Sequence, residues 1–70
     1  MNYVNNFQEY YYKLGMISKE KVVELRTKII QKTGISPYTF YPKLLGIRPW
    51  KDSEKKIISK IVGISIANLF

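Results

Sequence analysis

Residues 33–40, TGISPYTF, continued by YPKLLG through residue 46, decide how this chain folds. Gly34 has no Cβ and can turn the chain through the left-handed region. Ser36 followed by Pro37 is a strong helix start. The hydroxyl caps the first turn, and the proline takes the first helical position, where no N–H is needed. The spacing predicts a helix over 36–45 that stops at Gly46. Pro42 falls near its sixth position, where it removes a hydrogen bond to the carbonyl of Tyr38 and crowds it. A kink, a tightened first turn or a shorter helix is expected there.

Helical patterning continues on both sides. Upstream, Val22, Leu25 and Ile29 form one apolar stripe, broadened by Val23 and Ile30, with most lysines off it. Ser18 is the expected N-cap of this helix, over 19–32, with Glu20 in its first turn. Val4, Phe7, Tyr11 and Leu14, widened by Tyr3 and Tyr10, predict an earlier helix over 3–14, with Gly15 as its left-handed cap. Downstream, IRPWKD (47–52) reads as a loop, with Trp50 as a lid on the core. Asp52 or Ser53 should cap a helix over 53–62 whose buried stripe is Ile57, Ile58, Ile61 and Val62. Gly63 ends it. Ser65 opens a last turn over 65–69, in which Ile66, Leu69 and Phe70 return to the core. No stretch keeps a strand's alternation. The expected fold is all-α: one domain over 1–70, a bundle of four or five short helices.

Seventy residues bury only about 60% of the unfolded surface, so the margin of stability is thin. There is no cysteine to cross-link the chain and no histidine to help hold zinc. The net charge of +7 points to a polyanionic partner. It is concentrated: eleven of the twelve basic residues lie between Lys19 and Lys60, against four acids. The longest uncharged stretches, 33–42 and 61–70, have ten residues each. A spanning helix needs about 20 apolar residues, so a membrane-spanning role is not expected. Met1 is followed by polar residues rather than a basic patch and apolar run, so no secretory signal is read. Together with the missing cysteines this points to the cytoplasm.

Catalysis finds no support in the residue types. The five acids are scattered, and the four glycines stand singly rather than in a phosphate loop. No cofactor, metal or small-molecule substrate is expected.

Gly34-Ile35-Ser36 lies between two amphipathic segments, with Thr39 and Phe40 following and Gly46 twelve residues after Gly34. This resembles the helix-turn-helix of the lambda-repressor-like (Xre-type) DNA-binding domains, whose turn reads G-[VI]-S-x-x-T-[apolar]. GISIANLF (63–70) is similar to the G-V-S-L-x-x-L-[LF] ending of those domains. TGISPYTFYPKL also resembles short phage- and plasmid-type regulators of the class. The likeness spans about residues 29–70.

The resemblance implies a bacterial or mobile-element transcriptional regulator, associated with the nucleoid. Its helix 36–45 would lie in the major groove of double-stranded DNA, and a palindromic site would require a homodimer. Ile35 would plug the turn and Phe40 would pack on the preceding helix. The family's base-reading positions fall on Pro37, Tyr38 and Pro42, with Tyr41 beside them. Prolines cannot make the bidentate hydrogen bonds by which Arg, Asn or Gln read base edges. Phosphate contacts would come from Ser36, at a helix N-terminus, and from Lys43, Arg48 and Lys51, extended by Lys32, Lys55 and Lys56.

Two other readings stand beside this one. Pro37 and Pro42, the tyrosines at 10–12 and the apolar C-terminus suit a degenerate helix-turn-helix scaffold that binds protein instead. Exposure of Tyr38, Tyr41, Lys43 and Lys51 on one surface separates it from the DNA reading. KKIISKIVGISIANLF is also cationic and amphipathic enough for a membrane surface, but its apolar side is better used as core.

Overall fold

The computed structural model describes residues 5–70. Among them are five helices and no strand: α1 (Asn6–Ile17), α2 (Lys19–Thr33), α3 (Pro37–Leu44), α4 (Asp52–Val62) and α5 (Ile66–Leu69). The chain is an all-α bundle measuring 29 × 23 × 22 Å. α1 packs on α2, α2 on α4, and α5 closes against both α4 and α1.

α1 differs from its expected span at both ends. Asn5 is extended and caps the helix, its side chain accepting from the Gln8 N–H at 3.1 Å, so α1 starts at Asn6. The stripe positions Tyr3 and Val4 lie outside the described residues. At the other end Gly15 is no cap. It sits within the helix, and the chain continues to Ile17. The stop comes from Ser18, whose extended backbone donates to the Leu14 carbonyl while its hydroxyl accepts from Lys21 N–H and caps α2. One residue thus ends one helix and begins the next.

Gly15 faces Val22, and a Cβ built on it would meet the nearest Val22 carbon at 3.7 Å, an ordinary contact. Glycine inside a helix costs roughly 0.5–1 kcal/mol relative to alanine. Gly15→Ala is therefore expected to stabilise the fold by about that amount, read as a higher urea midpoint.

α2 buries Leu25 and Ile29, while Val23, assigned to the same stripe, is exposed because it lies on the helix's outer side. Gly34 ends α2 at φ 76°, its N–H on the Ile30 carbonyl. Ile35 is partly buried against the core, as expected of a plug in the turn.

Ser36 caps α3 through the Thr39 N–H at 3.2 Å. Pro42 is accommodated inside the helix, which continues past it to Leu44, and Gly46 at φ 80° ends the turn as expected. The Ile47 and Arg48 N–H groups then turn back onto the Pro42 carbonyl at 2.9 and 3.1 Å. Neither Asp52 nor Ser53 caps α4. Lys51 holds the cap position and its backbone N–H donates to the Glu54 carboxylate at 2.9 Å, leaving Asp52 and Ser53 in the first turn.

The centre of the bundle is aromatic. Trp50 is more than a lid: its ring lies edge-on to Phe7 and Phe40, with centroids at 5.8 and 5.9 Å, and to Phe70 at 6.4 Å. Such pairs contribute about 0.5–1.5 kcal/mol beyond the area they bury. Leu69 is buried and Phe70 packs on the core, while Asn6 donates its side-chain amide to the Asn68 carbonyl and ties the start of α1 to α5.

Candidate nucleic-acid interface

α3 is held from beneath. Phe40, Lys43 and Leu44 are buried, while Pro37, Tyr38 and Tyr41 turn outward. Pro37 is exposed and Tyr38 is 90% exposed at the head of the helix. Tyr41 is 43% exposed, and Pro42 is half-buried. Of the four residues assigned to bases, Tyr38 therefore stands furthest into solvent. Ser36 is exposed, but its hydroxyl is engaged by the Thr39 N–H and lies 2.9 Å from the Thr39 hydroxyl.

Lys43 must be removed from the phosphate-binding set. It is 6% exposed, and its ammonium is paired with the Glu54 carboxylate, itself 5% exposed. The cause is its place on α3: it falls between Phe40 and Leu44 on the inward side of the helix. The same carboxylate accepts the Lys51 N–H, so one glutamate both neutralises Lys43 and starts α4. The Lys43 ammonium also lies 5.7 Å from the centroid of the Trp50 ring, a cation–π arrangement that further satisfies it.

The remaining cations occupy three places. Arg48 and Lys51 are exposed and line a depression of about 400 Å³ with Ile35, Thr39 and Pro49, between the heads of α3 and α4, and the Lys43–Glu54 pair also lines it. Lys32 lines a separate groove between α2 and α4 with Lys60, Ile57 and Ile61. The ammonium of Lys55 lies 5.6 Å from the Phe70 ring centroid, toward the α5 end. Arg48 and Lys51 are thus brought together beside α3, whereas Lys32 and Lys55 are not part of that depression.

On the other side of α3, Arg26 is a residue that sequence reasoning missed. Its guanidinium donates to the Tyr41 hydroxyl and lies 5.8 Å from that ring's centroid. The hydrogen bond to Tyr41 raises the Arg26 pKa further above its usual value. Beneath it, burial pushes the Tyr11 phenol up to about 12, and the neighbouring Tyr41 hydroxyl adds to the effect. The neutral phenol packs as a core aromatic. Arg26, Thr27, Ile30 and Gln31 of α2 line a second depression with Pro37 and Tyr41. Arg26 and Tyr41 are fifteen residues apart, so no local pattern signals their pairing.

Chemically, this surface is a short aromatic helix head with guanidinium and ammonium groups on both flanks. No family model matches the chain, and neither does any characterised protein or solved structure. Among the described residues no helix is long and apolar enough to cross a membrane.

Proposed function

We propose that this chain is a small DNA-binding protein of helix-turn-helix type, a transcriptional regulator acting on the nucleoid. α2 and α3 form the motif around Gly34, and α3 docks its N-terminal half in the major groove. The observation that carries the reading is the outward head of α3, with Tyr38 at 90% exposure, between Arg26 on one flank and Arg48 and Lys51 on the other. The positive end of the α3 dipole adds to the attraction for phosphate. Arg48 and Lys51 would anchor the backbone, Arg26 would hold Tyr41 in place, and Tyr38 would reach base edges or thymine methyls. With two prolines on the reading side, sequence discrimination is modest.

Tyr38→Ala tests the docking face. The side chain is almost fully exposed, so stability should change by less than about 0.5 kcal/mol. Binding to a selected duplex should weaken by about 1–3 kcal/mol, with relaxed preference at the contacted base pair. Unchanged affinity and preference in a fluorescence-anisotropy titration would remove α3 from the interface.

The criterion taken from the sequence favours a second reading, a helix-turn-helix scaffold that binds protein: Tyr38, Tyr41, Lys43 and Lys51 do not share one exposed surface, because Lys43 is buried against Glu54. With Lys43 withdrawn, the exposed side of α3, formed by Pro37, Tyr38 and Tyr41 and continued by Leu45 at its C-cap, carries no charged group of its own. Binding that is insensitive to salt and satisfied by a protein rather than a duplex would decide for it.

A further inference from the structure

Between α2 and α4 lies a groove of about 330 Å³ that the proposed DNA contacts leave unused. Lys32 of α2 lines it with Ile57, Lys60 and Ile61 of α4. Ile61 packs on the core with part of its surface. Ile57 belongs to the apolar stripe expected of α4, yet it is only partly buried and lies outside the core cluster. Both isoleucines are recessed, whereas Lys32 and Lys60 are exposed. Lysine stems cover apolar surface while their ammonium groups stay in water. Lys28 and Lys56 stand one turn earlier on the same helix faces. Among the described residues, none of these four lysines is ion-paired and no acid lines the groove.

Charge and depth together select the occupant. The lysines call for anions and repel a second copy of a chain whose net charge is +7. The isoleucines call for an apolar group that reaches down to them. A duplex offers phosphates at its surface but no protruding apolar group. An anionic bilayer would meet the lysine heads, but isoleucines that do not protrude insert no apolar area into it. An amphipathic helix with acidic flanks supplies both needs. Its apolar side chains recur one turn apart, the spacing of Ile57 and Ile61, and its carboxylates fall beside them.

We infer that this groove docks an acidic amphipathic helix of a partner protein. Two apolar anchors enter between α2 and α4, and carboxylates on their flanks pair with Lys32 and Lys60. The groove is separate from the head of α3, so the inference does not rest on DNA binding.

The probe is a synthetic helical peptide of about 16 residues, with two leucines one turn apart between glutamates. Titrated into the isotope-labelled full chain, it should shift the amide resonances of Lys32, Ile57, Lys60 and Ile61, with a Kd of about 100 µM. Serine in place of the two leucines, or glutamine in place of the glutamates, should each weaken binding about tenfold or more. Lys32→Glu combined with Lys60→Glu should do the same at unchanged helix content, because both side chains are exposed. Ile57→Ala should also weaken the complex, with thermal melting reporting that the fold persists. No shift at about 1 mM peptide, or shifts centred elsewhere, would overturn the inference. So would equal affinity for the serine control, or full binding by the lysine double variant or by Ile57→Ala. Perturbation of these four residues by a random duplex, or by vesicles of phosphatidylserine and phosphatidylcholine, and not by the peptide would assign the groove to nucleic acid or to a membrane and would overturn it too.

Discussion

Glu54→Ala is expected to destabilise the fold by about 3–5 kcal/mol, because it leaves the Lys43 ammonium buried without its anion. The lysine is 6% exposed and meets solvent only along the depression beside α3, so most of its hydration is already lost. The same change strips the Lys51 N–H of its acceptor and frees the first turn of α4. A domain of this size has a total stability of roughly 4–10 kcal/mol, so most of the margin disappears. Urea unfolding followed by circular dichroism reads the effect directly.

Two companions sharpen the test. Glu54→Gln keeps an acceptor for the Lys51 N–H and should fall between wild type and alanine. The paired change Lys43→Met with Glu54→Leu removes both charges and should recover much of the loss, since apolar replacements of buried ion pairs are often neutral or better. A cost below about 1 kcal/mol for Glu54→Ala would mean that the pair is hydrated in solution.

The second large effect concerns the polyanion. Arg48→Ala together with Lys51→Ala should weaken binding to any duplex on the order of 60-fold at 0.1 M salt, because each phosphate contact contributes about 0.9 to the log–log salt slope. The slope itself should flatten by about two, uniformly across sequences. Stability should hardly move. Both side chains are exposed, and the bond that starts α4 comes from the Lys51 backbone N–H, which alanine retains. If the double variant binds as tightly as wild type, the depression beside α3 is not the phosphate site.

Much of this architecture was legible in the residues. Gly34 and Gly63 stop helices where expected, and Ser18 and Ser36 cap them through their hydroxyls, because these signals act within one turn of chain. Gly15 misled because a glycine near a helix end reads as a cap, whereas here it is an ordinary helical position with room for a Cβ, and Ser18 three residues later supplies the stop.

The candidate site was only partly legible. Tyr38 is placed outward by the resemblance to helix-turn-helix domains, and it is 90% exposed. Lys43 could not be excluded by its type, since lysine is usually solvated, although its position between Phe40 and Leu44 carried the hint. Its partner is eleven residues away on another helix, and the Arg26–Tyr41 contact spans fifteen. Tertiary pairings of this kind leave no trace in local periodicity, and they decide which cations remain for a ligand.

The most direct measurement is the binding of the wild-type chain to a random-sequence duplex, followed by anisotropy over a salt series. With about three phosphates engaged by Arg26, Arg48 and Lys51, the cations flanking α3, log K should fall against log salt with a slope of about −2.7. No binding at low salt, or binding with a slope near zero, would contradict the account.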